Sequence, residues 1–270
     1  MNKDFVSGLD LLERCRKEEK KIWEVMIERE VYISGKSEEE ILDYMKGNLE
    51  IMKNAIHRGL YEDIKSVSGL VGGDAKRLRE YYENKKTVAG KSMNKAVASA
   101  MAVLEVNASM GQIVAAGSSG ILPGVLVSVG ETFGIGDDQL VHALFTAAAI
   151  GYLITRNATV AGAEGGCQAE TGAAAAMAAA AVVEMLGGTP EQALHGASMT
   201  IKNILGLVCD PIAGLVEAPC VKRNAIGAAN ALISADMALA GIQSIIPFDE
   251  VVDAMYKVGR SLPCALRETA

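Results

Sequence analysis

The run AAAAMAAAAVVEML at residues 173–186 offers almost nothing but small and aliphatic side chains, and it stops at Gly187-Gly188. Alanine has the highest helix propensity, and paired glycines end helices well. A helix of this kind has no charged face to give to water, so other helices must cover it. Aromatic residues supply only 4% of the chain and there is one Trp. The core is therefore built from Ala, Gly, Val, Leu, Ile and Met, whose small side chains let helices approach closely.

Other segments carry the same periodicity. SEEE at residues 37–40 reads as a capping box, followed at helical spacing by Ile41, Tyr44, Met45, Leu49, Met52 and Ile56. Thr189-Pro190-Glu191-Gln192 is a second helix start, with Pro in the first turn. Apolar helices are expected from Met93, over residues 141–154 and 221–240, and after Pro247, where Val251, Val252, Met255 and Val258 recur. GSSGILPGVL at residues 117–126 reads as a glycine-punctuated turn, and residues 157–172 as a polar, Gly-rich loop. No run of alternating strands appears. The expectation is an all-α fold: an N-terminal amphipathic region (1–60), a polar connecting segment (61–92) and a helical core (93–270) packed together as one unit.

The formal charge of −7, from 26 basic and 33 acidic side chains, and the lack of a basic stripe argue against nucleic acid. Lys and Arg cluster at residues 14–21, but Glu18 and Glu19 interrupt them, as on a solvated helix face. The N-terminus lacks the apolar centre of a signal peptide, and the most apolar stretches fall short of the roughly 18–20 residues that span a bilayer. Five cysteines in a long chain without a secretion signal fit reduced thiols. A cytoplasmic location, with no membrane contact, is expected.

Free cysteine is most often a small core residue, and Cys15, on a charged amphipathic helix, stays with that reading. Cys167, Cys209 and Cys220 instead fall in or beside Gly- or Pro-containing breaks between apolar helices. Loops can turn several thiolates toward one point while the helices behind fix the geometry. Three such thiolates suit a soft metal or an iron–sulfur cluster, although their spacing is neither a zinc ribbon nor a ferredoxin run. Cys264, near Arg267 and Glu268, reads as core, a fourth ligand or a bystander. His57, His142 and His195 form no HxxxH or HExxH pair and read as structural. The GSSG turn offers hydroxyls and backbone N–H groups suited to a carboxylate, and Lys222-Arg223 could neutralise an anionic cluster or substrate.

The stretches EGGCQAETGAAAAMAAAAVVEMLGGTPEQ and NILGLVCDPIAGLVEAPCVKRNAIGAANALISADMALAG resemble the α subunit of iron–sulfur-dependent L-serine dehydratase (L-serine ammonia-lyase). The resemblance runs along nearly the whole chain and is densest from Asn157 to Glu268. It implies a [4Fe–4S] cluster held by Cys167, Cys209 and Cys220. It also implies β-elimination of water from L-serine, yielding pyruvate and ammonium without pyridoxal phosphate, as part of amino-acid degradation. Substrate contacts are expected at Ser118, Ser119, Asn157 and Arg223. The loop at 115–124 is shorter than in the family and lacks its threonine-proline-threonine segment, and 90–95 is also abbreviated; Ser118 and Ser119 stand where those hydroxyls are lost. The final LRETA stops just before a glycine-rich tail into which family members often continue. The serine/histidine-rich motif of the β part is not in this sequence, which implies a separate β chain, a hetero-oligomer, and a catalytic base on the partner. Cysteine desulfidase or another ammonia-lyase is the nearest alternative activity, and a non-catalytic cluster protein is the alternative of a different class.

Overall fold

In the computed structural model, which describes residues 3–110 and 120–267, the alanine-rich run belongs to helix α9 (Cys167–Met185). Nearly every side chain from Ala173 to Val183 is buried, on all sides of the helix. Around it pack α6 (Ile121–Phe133), α7 (Asp137–Asn157), α10 (Pro190–Lys202) and α11 (Cys220–Leu239). Before these come α1 (Gly8–Glu18), α2 (Ile22–Ser34), α3 (Glu38–Tyr61), α4 (Asp74–Asn84) and α5 (Gly90–Met110). A one-turn α8 (Gly162–Gly165) precedes α9, and α12 (Phe248–Ser261) closes the helical part. Among the described residues there is no strand, only a single parallel bridge between Cys209 and Arg267. The fold class is all-α.

α5 is the second fully enclosed helix, buried without interruption from Ala98 to Asn107. Glycines bring its neighbours close. A Cβ on Gly59 of α3 would lie 2.5 Å from the Ala102 carbonyl oxygen, and one on Gly124 of α6 would lie 2.3 Å from the Ala100 nitrogen. Helices packed backbone to backbone in this way gain dispersion contacts that larger residues would forfeit.

Both capping boxes are present. Ser37 Oγ accepts from Glu40 N at the start of α3, and Thr189 Oγ1 accepts from Gln192 N at the start of α10. Two further helices are capped from afar by buried carboxylates. Glu105 of α5 accepts from Gly73 N (3.1 Å) and Asp74 N (2.9 Å), fastening the start of α4 to the body. Glu184 of α9 accepts from Ile22 N (2.7 Å) and from the Thr146 hydroxyl, fastening the start of α2. Burial pushes both carboxyls above the usual carboxylate range, although these bonds oppose it.

The helix boundaries differ from expectation: the 61–92 segment expected as a polar connection itself holds α4 and the start of α5 at Gly90. The ILPGVL part of the expected turn is instead the first half of α6, buried throughout from Ile121 to Gly130. A helix enclosed on every side shows no amphipathic period, and Pro123 falls in the first turn, where its missing N–H costs little. α9 begins at Cys167 rather than Ala173, because Gly172 faces Ile204 inside the helix and does not break it. Among the described residues no helix is long and apolar enough to cross a membrane.

Candidate functional site

Cys167 and Cys220 are each the first residue of a long helix, α9 and α11. Gly166, at φ 77°, turns the chain into α9 with a backbone that other residues rarely adopt. Pro219 leads into α11. Both thiols therefore stand at the positive end of a helix dipole, where an anion is stabilised. Cys209 lies in the loop between α10 and α11, with its N–H donated to Leu266 O at 2.9 Å.

Gln168 holds that loop against the start of α9. Its backbone N–H donates to Leu207 O (3.0 Å), its Oε1 accepts from Gly206 N (2.9 Å), and its Nε2 donates to Gly165 O and Met255 O (both 2.9 Å). Cys209 is thus fixed two residues beyond a contact made by the neighbour of Cys167.

Arg223 bears on Cys167 and Cys220 and is tied to the residue after Cys209. It sits one turn after Cys220, its guanidinium is hydrogen-bonded to the Cys167 thiol, and its Nη1 pairs with Asp210 Oδ1 at 2.5 Å. Asp210 directly follows Cys209. Burial works against the guanidinium charge, but Asp210 and Cys167 outweigh it and hold Arg223 above its ordinary range. The Cys167 Sγ also lies 3.0 Å from Thr171 Oγ1.

Burial raises the Cys167 thiol, partly offset by Thr171 and Arg223. It pushes Cys220 up to about 12, with the charges of Cys167 and Glu170 adding to the effect. The thiols are therefore neutral without a cation, and binding one would release protons. Among the described residues no three Cys, His, Asp or Glu side chains converge on one metal ion. A cluster asks for something different, since each thiolate binds its own iron. The all-sulfur donor set, two helix N-termini and one buried guanidinium suit an anionic iron–sulfur cluster.

A family model for the serine dehydratase alpha chain matches residues 17–270. The chain belongs to that family. It is 52% identical over 268 residues to the probable L-serine dehydratase, alpha chain, of Bacillus subtilis, a match covering 98% of this chain and 89% of the relative. It is 50% identical over 263 residues to the L-serine dehydratase, alpha chain, of Peptoniphilus asaccharolyticus, covering 96% and 90%. With L-serine dehydratase 2 of Escherichia coli it shares 33% over 282 residues, which is 98% of this chain but only 60% of that protein.

In this serine dehydratase α chain the other candidate residues are placed as follows. Ser118 and Ser119 lie outside the described residues. Asn157, at the end of α7, donates its amide to Val6 O (3.0 Å) and Leu153 O (2.9 Å), at the junction with the N-terminal segment. Cys264 is exposed, in a short 3-10 turn whose last residue, Leu266, bonds Cys209. Lys222 turns away from the cysteines to pair with Asp74. Cys15 is buried in the core.

Three residues of the site carry no sequence signal beyond their type. Gln168 is one. Asn224, fully buried, donates to Cys220 O (3.0 Å) and accepts from Gly120 N (3.1 Å), fixing the residue after Ser119 beside the first turn of α11. Glu217 is the third, a buried carboxylate three residues before Cys220. It accepts from Ser66 Oγ (2.6 Å) and from the Ser68 hydroxyl. Burial raises Glu217, but the serine bonds prevail and keep it below its ordinary value. An acidic residue inside an apolar Gly/Pro loop was the one available hint.

Proposed function

We propose that this chain is the α chain of an iron–sulfur-dependent L-serine dehydratase. It would eliminate water from L-serine, with the resulting aminoacrylate tautomerising and hydrolysing to pyruvate and ammonium. Cys167, Cys209 and Cys220 would hold a [4Fe–4S] cluster. The observation that carries this reading is Arg223, which stands with Cys167 and Cys220 at two helix N-termini and pairs with Asp210, the residue after Cys209. The family relationship supports it independently.

When bound, a cluster with three protein ligands supplies a Lewis-acidic iron at its remaining corner. The chain's own residues prepare the surroundings. Arg223, held by Asp210, balances thiolate charge and offers donors to a substrate carboxylate. Ser118 and Ser119 would add hydroxyls for that carboxylate, next in sequence to Gly120, which Asn224 fastens. The Thr171 hydroxyl, 3.0 Å from Cys167 Sγ, would donate to the thiolate once Cys167 is ligated. Glu217 ties the cysteine loop to residues 66–68 and fixes the approach to Cys220.

The base that takes the α-proton is assigned to a separate β chain. The names of the two alpha-chain relatives support a partner, as does the two-fifths or so of the Escherichia coli protein left unmatched. Burial of the cluster between the two chains would exclude water and oxygen. A cytoplasmic setting would keep these thiols reduced and available to the cluster.

The test is pyruvate formation by the anaerobically assembled α/β complex, with L-serine, L-threonine and L-cysteine as competing substrates. L-serine is expected to give the highest kcat/KM. Preference for L-cysteine with sulfide release would instead identify a desulfidase, and turnover of none with the cluster intact would identify a non-catalytic cluster protein.

A further inference from the structure

Cys167 and Cys220 each open a helix and feel the charge of Arg223, whereas Cys209 lies in a loop with no helix N-terminus behind it. Cys209 is also buried, so its thiolate would need donors from the protein rather than from water.

The residue beside Cys209 is Arg267. The two form a parallel bridge, in which the Cys209 N–H donates to Leu266 O at 2.9 Å. Residues paired across such a bridge send their side chains to the same face, with the backbones less than about 5 Å apart. The Arg267 side chain therefore starts out next to that of Cys209. Its far end reaches the approach to a second cysteine, because Nη1 donates to Glu164 O at 3.3 Å, three residues before Cys167.

Between these two anchors the Arg267 Nε–H is buried and has no hydrogen-bond acceptor among the described residues. A buried donor on a charged group is costly to leave unsatisfied, so its position calls for an acceptor. The carboxylates on either side are engaged elsewhere. Glu164 accepts from Thr159 Oγ1 at 2.6 Å, and Asp210 faces Arg223 at 2.5 Å. Since solvent does not reach Nε, a substrate arriving from solution is a poorer match than a sulfur already inside the protein.

We infer that Arg267 is the positioning residue for the third cysteine ligand, its Nε–H donating to the Cys209 thiolate when the cluster is bound. Arg267 thereby does for Cys209 what Arg223 and the helix N-termini do for Cys167 and Cys220. The inference rests on the cluster reading given above.

The test compares the anaerobically purified full chain with Arg267→Met and Arg267→Lys, by iron release to a chelator and by a redox titration followed by electron paramagnetic resonance. Arg267→Met should lose iron about tenfold faster. Arg267→Lys, which keeps the charge without the Nε–H, should lose it about threefold faster. A donor and a positive charge beside a ligand sulfur favour the reduced, more negative cluster. Arg267→Met should therefore shift the balance about threefold toward the oxidised form, a fall in midpoint potential of about 28 mV at about 59 mV per tenfold. A tether to Glu164 alone would lower the melting temperature of the cluster-free chain and leave the midpoint unmoved, which would overturn the inference. So would iron retention equal to the parent in Arg267→Met, or a change confined to KM for L-serine in the α/β complex. A parent chain that assembles no cluster would overturn the cluster reading and this inference together, whereas a parent with a cluster that Arg267→Met leaves unaltered would overturn this inference alone.

Discussion

Arg223→Met keeps the side-chain length and removes the charge that the cysteines share. Two unit charges about 4 Å apart, at an effective dielectric near 20, attract by about 4 kcal/mol. Asp210, of opposite sign and on the same guanidinium, offsets roughly half of that for the thiolates, leaving about 2 kcal/mol, or about thirtyfold in cluster retention. The ion pair itself adds little to stability, because the Asp210 side chain is 43% exposed and its loss is softened by water. The variant should therefore fold almost as well as the parent but lose iron about thirtyfold more readily to a chelator under anaerobic conditions. Arg223→Lys should fall between the two, since one ammonium cannot span Asp210 and Cys167 as a guanidinium fork does. Iron retention and kcat/KM equal to the parent in Arg223→Met would refute the assignment of Arg223 as the charge that makes the site habitable for thiolates.

Glu217→Ala strands the hydroxyls of Ser66 and Ser68 and loosens the loop before Cys220, so unfolding should be easier by about 2 kcal/mol, measured by denaturant titration. Asn224→Ala frees Gly120 from α11 and should raise KM for L-serine with a smaller change in kcat, as steady-state kinetics of the α/β complex would record. Glu184 is held above its ordinary value, so the native state binds more protons than the unfolded one from the usual carboxylate range upward. Its contribution to stability is then full at the acid end and declines as pH rises through the native value. Glu184→Gln should flatten that slope in unfolding free energy against pH, with the remainder due in part to Glu105.

The all-helical fold could be read because its strongest signals are local. Ser37 and Thr189 announce helices within four residues, and the alanine run has only one compact solution. α6 was hidden because a helix buried on every side has no period to read. The capping carboxylates Glu105 and Glu184 were invisible for another reason. Glu184 serves a helix 162 residues earlier in the chain, and nothing in its neighbourhood specifies that partner. The candidate cysteines stood out by falling at helix breaks, which the structure resolves more finely: two open helices and one is pinned in a loop. Gln168 and Asn224 bond mainly to backbone, so no complementary side chain in the sequence points to them.

The measurement closest to the central claim is the iron and sulfide content and visible spectrum of the anaerobically purified chain, beside Cys209→Ala. The account predicts a brown protein with about four irons and about four sulfides per chain, and loss of both in the variant while the helical fold persists. A colourless, fully folded protein that takes up no iron or sulfide on reconstitution, or a Cys209→Ala variant that keeps its cluster, would contradict it.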